Sequence, residues 1–166
     1  MESIFVEHWV NSLVLAAWIA LCAGQDARSG QVDHKLLYAP LIVAAAWLFG
    51  FGHSLLSGTL PDACLAVALT LILTLPGYAR GLFGAADVKM LVVIALASTT
   101  LFVMSVIACA ALLLGLWRLG APYIWRNLSS RLKSRMAALS PTRTRVAYAP
   151  FLFVSVVAVL LVLPST

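Results

Sequence analysis

Charge is what this sequence has least of. Only 10% of its 166 residues are Asp, Glu, Lys or Arg, while 63% are hydrophobic. Its mean hydropathy is +1.02. Ordinary soluble domains carry about 25% charged and about 45–50% apolar residues. A soluble globular domain is therefore excluded, and so is a disordered chain. Acids are scarcer than bases, six against eleven, for a net charge of +5. That surplus does not point to nucleic acid. The basic residues lie between long apolar runs, where they act as topology signals facing the cytoplasm.

Other shortages narrow the chemistry. The three cysteines, Cys22, Cys64 and Cys109, lie inside apolar runs, with no C-x-x-C pair among them. A zinc site or disulfide framework is not indicated, and they read as small packing residues. There is no phosphate loop, no His-Glu-x-x-His motif and no internal repeat. The N-terminus carries Glu2, Glu7 and His8 instead of a basic region, so the first span is expected to stay uncleaved. Leu21 ahead of Cys22 is too large for a lipoprotein site.

What remains is a series of apolar runs. Spans are expected at about 4–23, 36–51, 60–76, 87–98, 101–118 and 146–163. Pro76 and Gly77 mark the expected end of the third. The stretch from Val88 to Trp117 is too long for one upright span, at about 45 Å against a hydrocarbon core of ~30 Å. Ser98-Thr99-Thr100 is its one polar break. Charge decides for a break there. With six spans and both termini outside, every Lys and Arg falls inside: Arg28 and Lys35, then Arg80 and Lys89, then seven more, Arg118 at the end of the fifth span and six in the loop 119–145. Five spans would put those seven on the wrong side. The fold class is thus an all-α polytopic membrane protein of about six transmembrane helices, forming a single domain over 1–166.

The loop has its own pattern. Pro122 suits a helix start and Pro141 a stop. Ile124, Leu128, Leu132, Met136 and Leu139 recur at helical spacing, with Arg126, Arg131, Lys133 and Arg135 between them. This predicts a basic amphipathic helix over 122–140 on the cytoplasmic leaflet, in contact with membrane lipids. A solvated charged loop is the simpler alternative.

Two acids stand out. Asp26 closes the first span and Asp87 opens the fourth, so both lie at the cytoplasmic boundary. Ionisable groups at membrane depth are costly and mark functional sites. A carboxylate pair suits aspartic proteolysis, in which one member activates water and the other, protonated, polarises the scissile carbonyl. This needs neither metal nor cofactor. A serine–histidine mechanism is disfavoured, because only His34 of the three histidines is expected on the cytoplasmic side. The plainer reading makes Asp87 a helix cap and Asp26 an interfacial acid beside Arg28. Asp33 reads as a turn residue.

The residues around these acids resemble a known family. Gly84-Ala85-Ala86-Asp87-Val88-Lys89-Met90-Leu91 resembles the G-x-G-D-x-K-x-L motif of the type IV prepilin peptidases. Asp26-Ala27-Arg28, followed by Val32, resembles that family's first aspartate motif. Ala147-Tyr148-Ala149-Pro150-Phe151 resembles the small-aromatic-Pro segment that opens its last span. The resemblance implies Asp26 and Asp87 as the catalytic pair of a GxGD-type aspartic peptidase. It further implies Gly84, Ala86, Lys89, Arg28, His34, Tyr148 and Pro150 as substrate-binding or site-shaping residues. The expected substrates are prepilin or pseudopilin precursors, each a single hydrophobic helix with a cytoplasmic leader cut after a glycine, in the bacterial inner membrane.

No C-x-x-C domain is present, so the chain is similar to the short peptidase-only form of the Flp (Tad) pilus systems, without methyltransferase activity. It departs from the family at Ala86, which replaces the second glycine, and at Val32-Asp33-His34, where Ile-Pro-Asn is usual. Two other classes stay open, a non-catalytic assembly subunit of a pilus or secretion machine and a small cation-coupled transporter.

The topology is directly testable. A phosphatase fused after residue 166 is expected to be active and a fluorescent protein fused there dark, with the reverse for insertions within 119–145. An active phosphatase inside 119–145 would overturn the six-span arrangement.

Overall fold

A computed structural model describes residues 2–81, 84–127, 139 and 147–162. Six helices form among them: α1 (Glu2–Ser29), α2 (His34–Phe51), α3 (Leu60–Ala79), α4 (Ala85–Ala97), α5 (Thr100–Asn127) and α6 (Ala149–Val162). α1 (from Trp9), α2, α3 and α5 (to Ile124) are long and apolar enough to cross a membrane, and α6 is a shorter apolar helix. The chain is an all-helical, multi-pass membrane protein. In lipid a segment must satisfy its own backbone groups, which leaves the helix as the natural form for such runs.

The helices close a bundle in a non-sequential order. α1 packs on α6, α6 on α5, α5 on α3, α3 on α4, and α4 on α2. The core runs through all of them, with Ile19 and Cys22 from α1, Leu37 from α2, Met90 and Ile94 from α4, Val103 and Val106 from α5, and Leu152 and Val156 from α6. α4 is the innermost helix. Met90, Leu91, Val93, Ile94, Ala95 and Ala97 are all buried, as expected for a helix apolar all round. The other helices turn residues such as Leu13, Ile42, Phe49, Ile72 and Leu112 outward, which suits surfaces against lipid.

The Ser98 break is real. Ser98 is extended and ends α4, and α5 begins at Thr100. The connection is held from two sides. The Asp62 carboxylate of α3 accepts the Thr100 N–H at 3.1 Å, and the Thr100 hydroxyl donates to the Asp62 carbonyl at 2.9 Å. Leu56 N–H donates to the Ala97 carbonyl at 2.9 Å, which ties the α2–α3 loop to the end of α4.

Three expected boundaries are corrected. α1 does not stop at Ala23 but runs to Ser29, closed by Gly30 at φ 70°, a left-handed conformation that glycine adopts freely. α3 continues through Pro76 and Gly77 to Ala79. α5 continues through Pro122 to Asn127, so Pro122 starts no new helix. A proline deletes one N–H bond, and a helix whose other backbone bonds are made survives that loss. The basic stretch 128–138 and 140–146 lies outside the described residues. Within it only Leu139 is described. It is buried beside Ala147, Ala27, Trp117 and Phe151, and its carbonyl accepts the Trp117 indole N–H at 3.2 Å.

The tightest point in the bundle is Gly58. A Cβ there would lie 2.9 Å from both Ser54 Oγ and the Ser98 carbonyl. Because the Ser98 oxygen is backbone, it cannot swing aside. Gly58→Ala is expected to cost about 1–3 kcal/mol, as overpacking does, read as a lower midpoint in detergent or denaturant unfolding.

Candidate active site

One end of the bundle gathers the C-terminus of α1 and the N-termini of α2, α4 and α6. Because α1 runs on to Ser29, Asp26 lies within the helix rather than in a loop. It is 6% exposed. Cys22 and Ala23, one turn earlier, are buried in the core, so helical spacing directs Asp26 inward with them.

The partner of Asp26 comes from the far end of the chain. The Ala149 N–H donates to Asp26 Oδ2 at 3.0 Å. The Tyr148 N–H bonds the same carboxylate. These donors exist because α6 starts here. The Tyr148 carbonyl already accepts from Phe151 and Leu152 N–H, at 3.0 and 3.2 Å. The N–H groups of a helix's first turn have no partner inside the helix, and its dipole favours an anion. Pro150, half-buried in that turn, has no N–H to compete.

Asp87 is built locally. It stands three residues past the Gly84 cap of α4, not at the cap itself. The Gly84 N–H donates to Asp87 Oδ2 at 2.8 Å, while the Gly84 carbonyl accepts the Asp87 N–H at 3.1 Å. The first bond is the acid's half of a capping box; glycine has no side chain for the other half, and its backbone carbonyl takes that place. A Cβ on Gly84 would lie 3.2 Å from Asp87 Oδ2, so the glycine gives this carboxylate its room.

Tyr148 links the two acids. Its backbone serves Asp26. Its phenol, just ahead of α6, is pushed above the ordinary tyrosine range, first by burial and then by the charge of Asp87. It is 4% exposed.

The remaining expected site residues divide. Lys89, in the first turns of α4, donates to Tyr38 Oη at 2.7 Å and lies 4.3 Å from that ring's centroid. His34 opens α2 and stacks near the same ring, at 6.1 Å between centroids. Lys89, His34 and Tyr38 thus form a group of their own between α2 and α4. Tyr38 was not expected, and nothing in the sequence pairs residues 51 apart. Ala86 packs partly buried against the core. Arg28 is exposed. Asp33 caps α2 by accepting the Lys35 N–H at 3.1 Å.

Comparison with known proteins now bears on this arrangement. The sequence profile of the type IV leader peptidase family matches residues 13–119. The chain belongs to the type IV leader peptidase family. The match covers Asp26, Arg28, His34, Gly84, Ala86, Asp87 and Lys89, and ends before Tyr148 and Pro150. No curated protein and no solved structure matches the chain. Membership supports a leader-peptidase type of function, a hydrolase acting on prepilin-type precursors in general.

Gly84→Ala in this leader peptidase is expected to shift the Asp87 carboxylate by a few tenths of an ångström. Loss of a well-placed charged hydrogen bond costs about 1.5–3 kcal/mol. Precursor cleavage should therefore fall at least about tenfold, at unchanged membrane abundance.

Proposed function

We propose that this chain is an intramembrane aspartic endopeptidase that removes the leader of Flp-type prepilins at the cytoplasmic membrane face, after a glycine. Asp26 and Asp87 are its catalytic pair. The observation that carries this reading is a carboxylate buried inside an apolar bundle: Asp26 is 6% exposed and held by the Ala149 N–H at 3.0 Å, on a stretch of chain that matches the family.

The chemistry follows from two carboxyls sharing one proton, since like charges in close approach cannot both ionise cheaply. The ionised member takes a proton from water as the water oxygen bonds to the scissile carbonyl carbon. The protonated member gives its proton to the carbonyl oxygen. Collapse of the tetrahedral intermediate breaks the C–N bond: one hydroxyl returns its proton to the pair as the carbonyl re-forms, and the leaving amine takes a proton from the pair. One shared proton is left, as at the start. Which acid holds it is a property of the pair.

Six membrane crossings with both termini outside suit this chemistry, because they put both acids on the cytoplasmic side of the bacterial inner membrane. α4, at 13 residues, is only about 20 Å long. Its enclosure by α2, α3 and α5 spares it from matching the lipid thickness. The whole chain acts as one domain. Leu139 packs beside Ala27 at the end of α1. Lys89, Tyr38 and His34 stand where the leader emerges, and Gly84 and Ala86 leave its backbone room to approach. The resemblance to the short peptidase-only form implies neither a metal nor methyl transfer.

One observation favours a second reading, a non-catalytic assembly subunit. The Gly84–Asp87 capping box would by itself account for Asp87 as a helix cap.

Co-expression with an Flp-type prepilin separates the two. Wild type is expected to shift the precursor on a gel. Asp26→Asn and Asp87→Asn, at equal membrane levels, should leave it uncut. Full processing by either variant would overturn the aspartic mechanism and restore the assembly subunit.

A further inference from the structure

The donors on Asp26 are an unusual choice for a bundle to make. Three buried hydroxyls in these helices, those of Thr74, Ser98 and Ser155, bond carbonyls four residues back. Asp26 instead takes a backbone N–H from 123 residues away, in a fully buried contact. Ala149 itself is 0% exposed, and Ala147 and Tyr148 on its N-terminal side are buried too. Trp117 and Phe151 pack as tilted rings 6.1 Å apart just beneath, and Leu139 closes the side toward Ala27. The start of α6 is thus wedged from several directions, and its position relative to α1 is set.

We propose that the first turn of α6, residues 148–150, is a positioning element for catalysis: its backbone N–H groups clamp the Asp26 carboxylate, the Ala149 N–H on Oδ2, and fix the direction in which it meets water. This rests on the peptidase reading above.

Three features support it. Ala149 is the first residue of α6, so its N–H has no partner within the helix. Pro150 follows it and offers no competing donor. Tyr148, the residue before, is itself buried, so the turn that meets Asp26 is enclosed. A carboxylate held by backbone donors cannot rotate freely, and a catalytic group must be held to within about 0.5 Å of its working place.

The test removes the N–H and little else. Proline is well accommodated at the first position of a helix, and Tyr148 before it is already outside the helix, as a residue preceding proline prefers. Purified wild type, Asp26→Asn, Ala149→Pro and Ala149→Gly are assayed on a prepilin peptide across pH. Ala149→Pro is expected to lose at least about tenfold in kcat with little change in KM. The acid limb of its pH–rate profile should move to higher pH, since the ionised pair has lost a donor. Ala149→Gly keeps the N–H. Its loss should be no larger than its drop in thermal stability accounts for, on an unmoved pH profile.

If Ala149→Pro does not accumulate in the membrane, an ester linkage at residue 149, introduced with lactic acid, removes the same N–H without the ring and carries the same expectation. Wild-type kcat and an unmoved acid limb in the Pro or ester variant would overturn the clamp. So would an acid limb shifted equally in Ala149→Gly. Failure of wild type to cut, or cutting by Asp26→Asn, would instead overturn the peptidase reading beneath it.

Discussion

The rest of this bundle depends on one hydrogen bond, from the backbone of the last helix to a carboxylate at the end of the first. Burying an acid among apolar helices is costly unless it gains donors. Here the donors are N–H groups that α6 must leave open in any case. One contact therefore satisfies two deficits, an acid without water and a helix start without acceptors. It also sets the order of the bundle, because α1 lies against α6 rather than against its neighbour in sequence. α2 is left to pack on α4, joined to α1 by bonds such as the Trp18 indole N–H to the Leu36 carbonyl at 2.8 Å.

The two ends of the bundle are built differently. At the far end, backbone and side chains interlock. Asp62 holds the start of α5, Leu56 holds the end of α4, and Gly58 fits where no side chain could. At the candidate active end, polar groups come in small separate sets: Asp26 with the α6 start, Asp87 with Gly84, and Lys89 with Tyr38. The interlocked far end fixes the helices against one another at that end of the bundle. α4 joins the two, being buried along its length and carrying Asp87 in its first turn.

Much of this could be read from the residues in order. Six apolar runs became six helices, and the polar triplet at 98–100 became the break between α4 and α5. Asp26 and Asp87 were singled out because acids are rare in such a sequence and costly at membrane depth. Helix ends were read less well. The apolar run of α1 ends at Ala23 while its helix ends at Ser29, because a run reports where lipid stops and a helix ends where its bonds do. Pro76 and Pro122 misled for a related reason, since each removes one bond from a helix that keeps its others.

Composition and pattern alone determined that this chain crosses a membrane as helices, and they drew attention to Asp26 and Asp87 as its two acids at the ends of apolar runs. The motif around Asp87 was legible because its parts are adjacent, Gly84 and Asp87 forming one local cap. What only the tertiary structure decided is what holds Asp26. Its partner is a backbone N–H, which every residue but proline carries and no sequence pattern marks. Tyr38 beneath Lys89 was hidden in the same way. Both contacts join residues that are remote along the chain, and such pairs exist only once the helices have chosen their neighbours.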